Sequence, residues 1–130
     1  PKLNKSIYLQ HQINKTMTTI YQKLAPLGFA EWLEKNFETL MSLDEWFKDA
    51  DKEEINSSER TVMNALAFRW LREEKGIDCY PVRGFYDESD FFYATVYIDN
   101  KKISDEKYDT HPLAEIAALE KAAEIIESNK

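Results

Sequence analysis

The chain has 130 residues, of which 43% are hydrophobic and 13% aromatic, a composition typical of an ordered globular domain that excludes a disordered chain. Its 24 acidic residues outnumber its 17 basic residues and leave a net charge of −7. This balance argues against nucleic acid as the main ligand, because phosphate binding depends on Lys and Arg. The single cysteine, Cys79, indicates a reducing, cytoplasmic compartment, and no apolar run approaches the roughly 18 residues of a membrane span.

The first part of the chain is predicted to be helical. Apolar residues recur there at spacings of three and four, the period of one helical face, and predict a helix over 3–24. These residues are Ile13, Met17, Ile20, Tyr21 and Leu24. Pro26 and Gly28 are expected to end this helix, because Pro lacks an amide donor and Gly readily leaves the helical conformation.

A second helix is predicted over 29–42. The apolar residues on one of its sides are Phe29, Trp32, Leu33, Phe37, Leu40 and Met41. Ser42 and Glu45 match a capping box and predict a short third helix through Trp46 and Phe47. The acidic connector DADKEEIN is the predicted boundary between an N-terminal helical region, 1–56, and a layered domain, 57–130, which we expect to pack together as one folding unit.

The next helix is predicted over 59–75, with Ser57 or Ser58 as its cap. Its predicted inner stripe comprises Val62, Met63, Leu66 and Trp70. Gly76 stands where a helix commonly ends in the left-handed conformation.

From Ile77 onward the apolar period changes to two, which predicts strands. The first strand is predicted over 77–85, at a sheet edge because it contains Pro81. A turn is expected at 87–90, and the second strand over 91–99 alternates cleanly. Asp99 and Asn100 begin a tight turn, and 101–108 is predicted to pair as a short third strand.

The last helix is predicted to run from a Thr110 cap to about 128, with Pro112 in its first turn. The side expected to lie on the sheet carries Ile116, Ala117, Ala123 and Ile126. The predicted fold is therefore α+β: N-terminal helices, a helix, a two- to three-stranded antiparallel meander and a C-terminal helix in a layered sandwich. Its core is expected to bring together Leu66, Trp70, Phe92, Val96, Ile116 and Leu119.

Two segments, ALAFRWLREEKGI (Ala65–Ile77) and YDTHPLAEIAALEKAAEII (Tyr108–Ile126), flank this aromatic hairpin. The positions that carry the pattern are Trp70, Leu71, Arg72, Glu73, Gly76, Ile77, Tyr93, Tyr108, Asp109, Thr110, Ala114, Ala118 and Leu119. This half of the chain, about 65–126, resembles a group of small phage and mobile-element proteins described as a phage ABA-sandwich domain. The resemblance implies a layered fold, a phage or mobile-element origin and hence the cytoplasm of a bacterial host cell. It implies no activity.

Residues able to support nucleophilic catalysis are few. Hydrolytic catalysis of this kind needs a Ser or Cys that is activated by a general base. The histidines are His11 and His111, and the cysteine is Cys79. His111 lies between a helix cap and Pro112, which favours a structural role, and Cys79 is expected to be a small core residue. With three glycines and no GxSxG or phosphate-loop motif, the sequence predicts no catalytic residue and no cofactor.

Acidic residues alternate in the connector as in an EF-hand calcium loop, at Asp49, Asp51 and Glu53. The loop then requires Gly at its sixth position and Glu at its twelfth. Glu54 and Arg60 stand there instead, so we interpret the connector as a solvated acidic loop and predict no metal site.

The predicted hairpin has two further features. Its acidic residues Asp87, Glu88 and Asp90 are better explained by a polar turn than by a magnesium site. Aromatic residues on one strand face are similar to the base-stacking platforms of RNA binders, but the acidic residues around them favour packing under a helix. These aromatic residues are Phe91, Tyr93 and Tyr97.

The sequence favours a non-enzymatic accessory protein of a phage or mobile element that binds a host or phage protein. One form of this hypothesis is an acidic inhibitor that occupies the nucleic-acid-binding groove of a host-defence protein. The candidate partner-binding residues are Trp46, Phe47, Asp49, Asp51, Glu53, Glu54, Asp87, Glu88 and Asp90. The alternatives are a structural or assembly component of a phage and a small metal-dependent enzyme.

Overall fold

The protein has an α+β fold with a three-stranded antiparallel sheet. The computed structural model describes residues 2–37, 57–84 and 91–129, with side chains from residue 11 in the first range and residue 60 in the second. The chain forms two compact units, Pro1–Met63 and Asn64–Lys130. The helix Ser57–Lys75 contributes residues to both.

In the first unit, α1 spans Lys2–Leu24 and confirms the first predicted helix. Its predicted inner face is buried at Met17, Ile20, Tyr21 and Leu24. A 3₁₀ turn at Ala25–Leu27 follows, and Gly28 has a φ of 122°. A β-carbon is disfavoured at that angle, so glycine permits the change of direction into the next helix.

Helix α2 spans Phe29–Asn36, so the prediction that it continues to residue 42 is wrong at Phe37. There the backbone turns to a φ of −137°, although its N–H still donates to the Leu33 carbonyl at 2.8 Å. The Asn36 side-chain amide donates to the Trp32 carbonyl at 2.8 Å and thereby satisfies one of the last carbonyls of the helix. The Phe37 ring meets the Trp32 ring edge-on at 5.7 Å. Leu40, Met41 and the predicted third helix lie outside the described residues.

Helix α3 spans Ser57–Lys75, and its predicted inner stripe is largely wrong. Val62 is 57% exposed, and Met63 and Leu66 are only half-buried. Trp70 is buried as predicted, and the other buried residues are Arg60, Asn64, Ala67 and Leu71. Two of these are polar, and a search for apolar periodicity passes over them.

The polar positions are buried because they are hydrogen-bonded. In the first unit, Arg60 Nη1 donates to Asn14 Oδ1 at 2.9 Å, and the Tyr21 hydroxyl donates to the Arg60 carbonyl at 3.3 Å. In the second unit, Asn64 Nδ2 donates to Glu115 Oε2 at 2.8 Å.

Gly76 ends α3 with a φ of +66°, as predicted. The sheet contains β1 (Ile77–Arg83), β2 (Phe92–Ile98) and β3 (Lys101–Tyr108), in the order β1-β2-β3. Pro81 therefore lies on an edge strand, as expected. Asp99 and Asn100 both have positive φ and form the two-residue turn between β2 and β3. The turn predicted at 87–90 lies outside the described residues.

Helix α4 spans His111–Ser128, and Thr110 caps it by accepting a hydrogen bond from the Leu113 N–H at 3.3 Å. The helix contacts all three strands. Its predicted sheet-facing side is wrong at Ile116, Ala117 and Ile126, which are half-buried. The buried residues are Ala114, Glu115, Ala118, Leu119, Ala122 and Ala123.

Helix α4 buries this face because most of its side chains are small, and alanine lets a helix backbone lie close to a sheet. The strand residues buried on the helix-covered side are Ile77, Cys79, Ala94 and Val96. Of the predicted core, Trp70, Val96 and Leu119 are fully buried. Leu66, Phe92 and Ile116 lie at its margin, half-buried.

Candidate partner-binding surface

None of the partner-binding residues predicted from the sequence falls in the described ranges. They are Trp46, Phe47, Asp49, Asp51, Glu53, Glu54, Asp87, Glu88 and Asp90. Among the residues that the structure describes, the sheet of the second unit carries the candidate surface.

The strand register places tyrosines on the sheet face opposite Cys79 and Val96. Tyr80 pairs with Thr95, and Tyr97 pairs with Asp78. Directly paired residues of an antiparallel sheet share a face. We call this the tyrosine face; its members are Asp78, Tyr80, Val82, Tyr93, Thr95, Tyr97, Lys102, Asp105 and Lys107.

The tyrosine face is partly exposed. Tyr80 is 38% exposed, and Tyr93 and Tyr97 are half-buried. The prediction that Phe91, Tyr93 and Tyr97 pack into the interior holds for Phe91, which is 4% exposed. It is wrong for the two tyrosines.

Phe91 is buried at one end of the face because glycine stands opposite it. The Gly84 N–H donates to the Phe91 carbonyl at 3.0 Å, and a β-carbon at Gly84 would overlap the Phe91 ring. The Lys107 ammonium lies 4.1 Å from the centre of that ring. Tyr93 meets it edge-on at 5.4 Å.

Tyr80 and Tyr97 form a stacked pair in the middle of the face. Their ring centres are 6.2 Å apart and the ring planes differ by 20°. Partial burial is the largest cause that raises the pKa of Tyr80 above its ordinary value, and the electrostatic effects of Tyr97 and Asp78 raise it further. A hydrogen bond between the Tyr80 and Tyr97 side chains contributes to the same shift.

Asp105 organises the polar side of the face. Its Oδ1 accepts from the Thr95 hydroxyl at 2.9 Å, and its Oδ2 accepts from the Lys102 ammonium at 3.2 Å. The hydrogen bond to Asp105 raises the pKa of Lys102. Both carboxylate oxygens are thus used within the sheet, and the charge of Lys102 is compensated locally.

A pocket of about 410 Å³ lies at the turn end of the tyrosine face. Its lining residues are Arg72, Gly76, Asp78, Tyr80, Tyr97, Asp99 and Asn100. Sequence reasoning missed this pocket, although its alternation pattern placed Tyr97 on the correct face. Asp78 and Tyr80 are placed beside Tyr97 by the pairing register of β1 with β2. The alternation pattern of a single strand does not contain this register.

A second polar cluster contains the histidine considered for catalysis. Glu115 Oε1 lies 3.2 Å from His111 Nδ1, and Glu115 Oε2 accepts from Asn64. The His111 ring meets Phe92 edge-on at 5.3 Å. These contacts tie α3, α4 and β2 together, which is a structural role for His111.

Cys79 is 2% exposed, which confirms it as a core residue. Burial, reinforced by the charge of Asp78, raises the pKa of its thiol to about 12. The thiolate, the reactive form of cysteine, is therefore scarce at neutral pH. Within the described residues, no three His, Cys, Asp or Glu side chains are grouped so that they could hold a metal ion.

Comparison with models of protein families, with curated proteins and with solved structures finds no match to this chain. Among the described helices, none is long and apolar enough to cross a membrane.

Proposed function

We propose that the protein acts by binding another protein through the tyrosine face. The observation that carries the proposal is the stacked Tyr80–Tyr97 pair, because Tyr80 is 38% exposed on a sheet face whose opposite side is buried. Tyrosine is enriched where proteins bind each other, since it offers a large rigid ring together with a hydroxyl that forms hydrogen bonds.

Charge indicates a partner with a basic surface. The second unit, Asn64–Lys130, has 14 Asp and Glu against nine Lys and Arg, a net charge of −5. A positive patch on the partner would be steered toward it. A narrower form of the proposal is a phage or mobile-element inhibitor, in the cytoplasm of a bacterial host, that occupies the basic groove of a nucleic-acid-binding defence protein.

The tyrosine face is less suited to RNA, even though Lys102 and Lys107 lie on it. Lys102 is held by Asp105, and Lys107 lies over the Phe91 ring. Phosphates would also meet the carboxylates of Asp78 and Asp99 at the pocket. Because phosphate binding is driven by free Lys and Arg, these contacts favour a protein partner.

Site-specific photo-cross-linking in bacterial cells tests the proposal. A benzophenone amino acid would replace Tyr80 in one variant and Leu113, which is 39% exposed on α4, in the matched control. We expect one defined product from position 80 and none from position 113. The partner identified in that product should then bind purified Tyr80→Ala more weakly than the unmodified chain, because an aromatic contact is lost.

Equal cross-linking at both positions, or a partner that binds Tyr80→Ala as tightly as the unmodified chain, would contradict a role for the tyrosine face. Salt dependence adds an independent measurement. Binding steered by charge weakens as ionic strength rises, since screening shortens the reach of surface charges.

A further inference from the structure

We infer that the pocket at the end of the tyrosine face binds an arginine side chain of the partner. This inference rests on the proposed function and names the chemistry by which the partner is recognised. It follows from three features of the pocket: two carboxylates, a stacked tyrosine pair and the position of Arg72 among the lining residues.

The carboxylates supply the charge. Asp78 lies near the start of β1, directly opposite Tyr97, and Asp99 begins the turn that follows β2. Within the described part of the chain, neither side chain forms an ion pair. A guanidinium offers five N–H donors in a planar fork that matches carboxylate oxygens, so it suits two such acceptors better than a lysine ammonium does.

The tyrosines supply a flat wall. Tyr80 and Tyr97 are nearly parallel, with ring centres 6.2 Å apart, and both residues line the pocket with a flat aromatic surface. A planar guanidinium can stack against such a surface while its edge donates to a carboxylate. The tyrosine hydroxyls and the Asn100 side chain add acceptors for the remaining N–H groups.

Arg72 affects cationic and anionic ligands of the pocket in opposite ways. It is the one cationic residue among the seven that line the pocket, so the lining carries two negative charges and one positive charge. A bound arginine would be attracted by Asp78 and Asp99 and repelled by Arg72. A phosphate or a carboxylate would be repelled by Asp78 and Asp99 and attracted by Arg72. Removing the charge of Arg72 should therefore strengthen the binding of a cation and weaken the binding of an anion.

The test uses small probes of matched shape and the whole 130-residue chain. Backbone amide NMR shifts of the ¹⁵N-labelled protein would be followed during titration with N-acetyl-arginine amide. N-acetyl-citrulline amide is the control, because it has nearly the same shape and no charge. We expect the arginine probe to shift the amides of 76–80 and 97–100, and the citrulline probe to bind measurably more weakly.

Two substitutions should act in opposite directions. Asp78→Asn should weaken binding of the arginine probe about two- to fivefold, the range expected for one partly exposed ion pair. Arg72→Gln should strengthen it by about the same factor. The amide spectrum of each variant reports whether it is folded, so a change in affinity is not confused with unfolding.

Equal binding of the arginine and citrulline probes would overturn the inference, and so would weaker arginine binding by Arg72→Gln. Binding of a single-stranded RNA oligomer that weakens in Arg72→Gln would assign the pocket to phosphate instead.

Cross-linking and probe binding together distinguish a wrong interface from a wrong arginine pocket. If position 80 cross-links a partner that binds Asp78→Asn and Asp99→Asn as tightly as the unmodified chain, the tyrosine face is an interface and the arginine pocket is wrong. If the arginine probe binds as expected but position 80 cross-links nothing, the pocket stands and the proposed interface is wrong.

Discussion

Gly84→Ala should destabilise the protein through one neighbour, the Phe91 ring. Gly84 is not among the positive-φ glycines, so the backbone accepts alanine there. The added methyl group would occupy space that the Phe91 ring already fills. That ring is 4% exposed and is held between Lys107 and Tyr93, so it has little freedom to move away. Overpacking of this kind costs about 1–3 kcal/mol of unfolding free energy.

A double-mutant cycle measures whether the ring is the cause. Urea unfolding followed by far-UV circular dichroism would give the unfolding free energy of Gly84→Ala, Phe91→Ala and the double variant. Phe91→Ala alone should cost about 3–5 kcal/mol. In the Phe91→Ala variant, Gly84→Ala should be neutral or should stabilise the protein by about 0.4–1 kcal/mol, because alanine restricts the conformations of the unfolded chain.

Gly76→Ala is the matched control for this cycle. Gly76 has a φ of +66°, and a β-carbon added to it would have no atom within 4 Å, so its replacement should cost about 1–2 kcal/mol from the left-handed backbone alone. That cost should be the same with or without Phe91→Ala. If the cost of Gly84→Ala is also unchanged by Phe91→Ala, the steric explanation is refuted.

Three further outcomes are expected from single residues. Trp70 is 1% exposed, so Trp70→Ala should cost about 3–5 kcal/mol in the same unfolding assay. Val62 is 57% exposed, so Val62→Ala should change stability by at most about 0.5 kcal/mol. Similar costs for the two variants would contradict the burial pattern of α3. Thr110→Ala removes the α4 cap and should cost about 0.5–2 kcal/mol, while Thr110→Ser should keep most of it. The raised pKa of Cys79, about 12 against an ordinary value of 9.0, means that the folded state holds its proton more tightly, so stability should fall as pH rises from 9 toward 12. Cys79→Val should flatten that decline in pH-dependent thermal melts, and an unchanged slope would show that other groups cause it.

Most element boundaries were predictable because their causes are local. Gly76 ends α3, Thr110 begins α4 and Asp99-Asn100 turns the chain, each through the backbone angles or hydrogen bonds of neighbouring residues. The change of apolar period at residue 77 likewise identified the first two strands, and the turn at Asp99-Asn100 indicated the third, which the sequence left open. The end of α2 was missed because Phe37 continues the apolar spacing, although its backbone leaves the helix.

The buried faces of α3 and α4 were not predictable from spacing alone. Arg60 bonds to Asn14, and Asn64 bonds to Glu115, over separations of 46 and 51 residues. Polar residues are assigned to solvent by any rule based on hydrophobicity, and only a partner brought close by folding makes their burial favourable.

The sequence by itself therefore determined the α+β class, the order of the elements and most of their ends, because these depend on residues within one or two turns of each other. The tertiary structure alone decided which helix faces are buried and where the pocket forms. Asp78 and Tyr80 meet Tyr97 and Asp99 through the register of two strands. Register is set by how whole strands pair and pack, and it determines which distant side chains share a face.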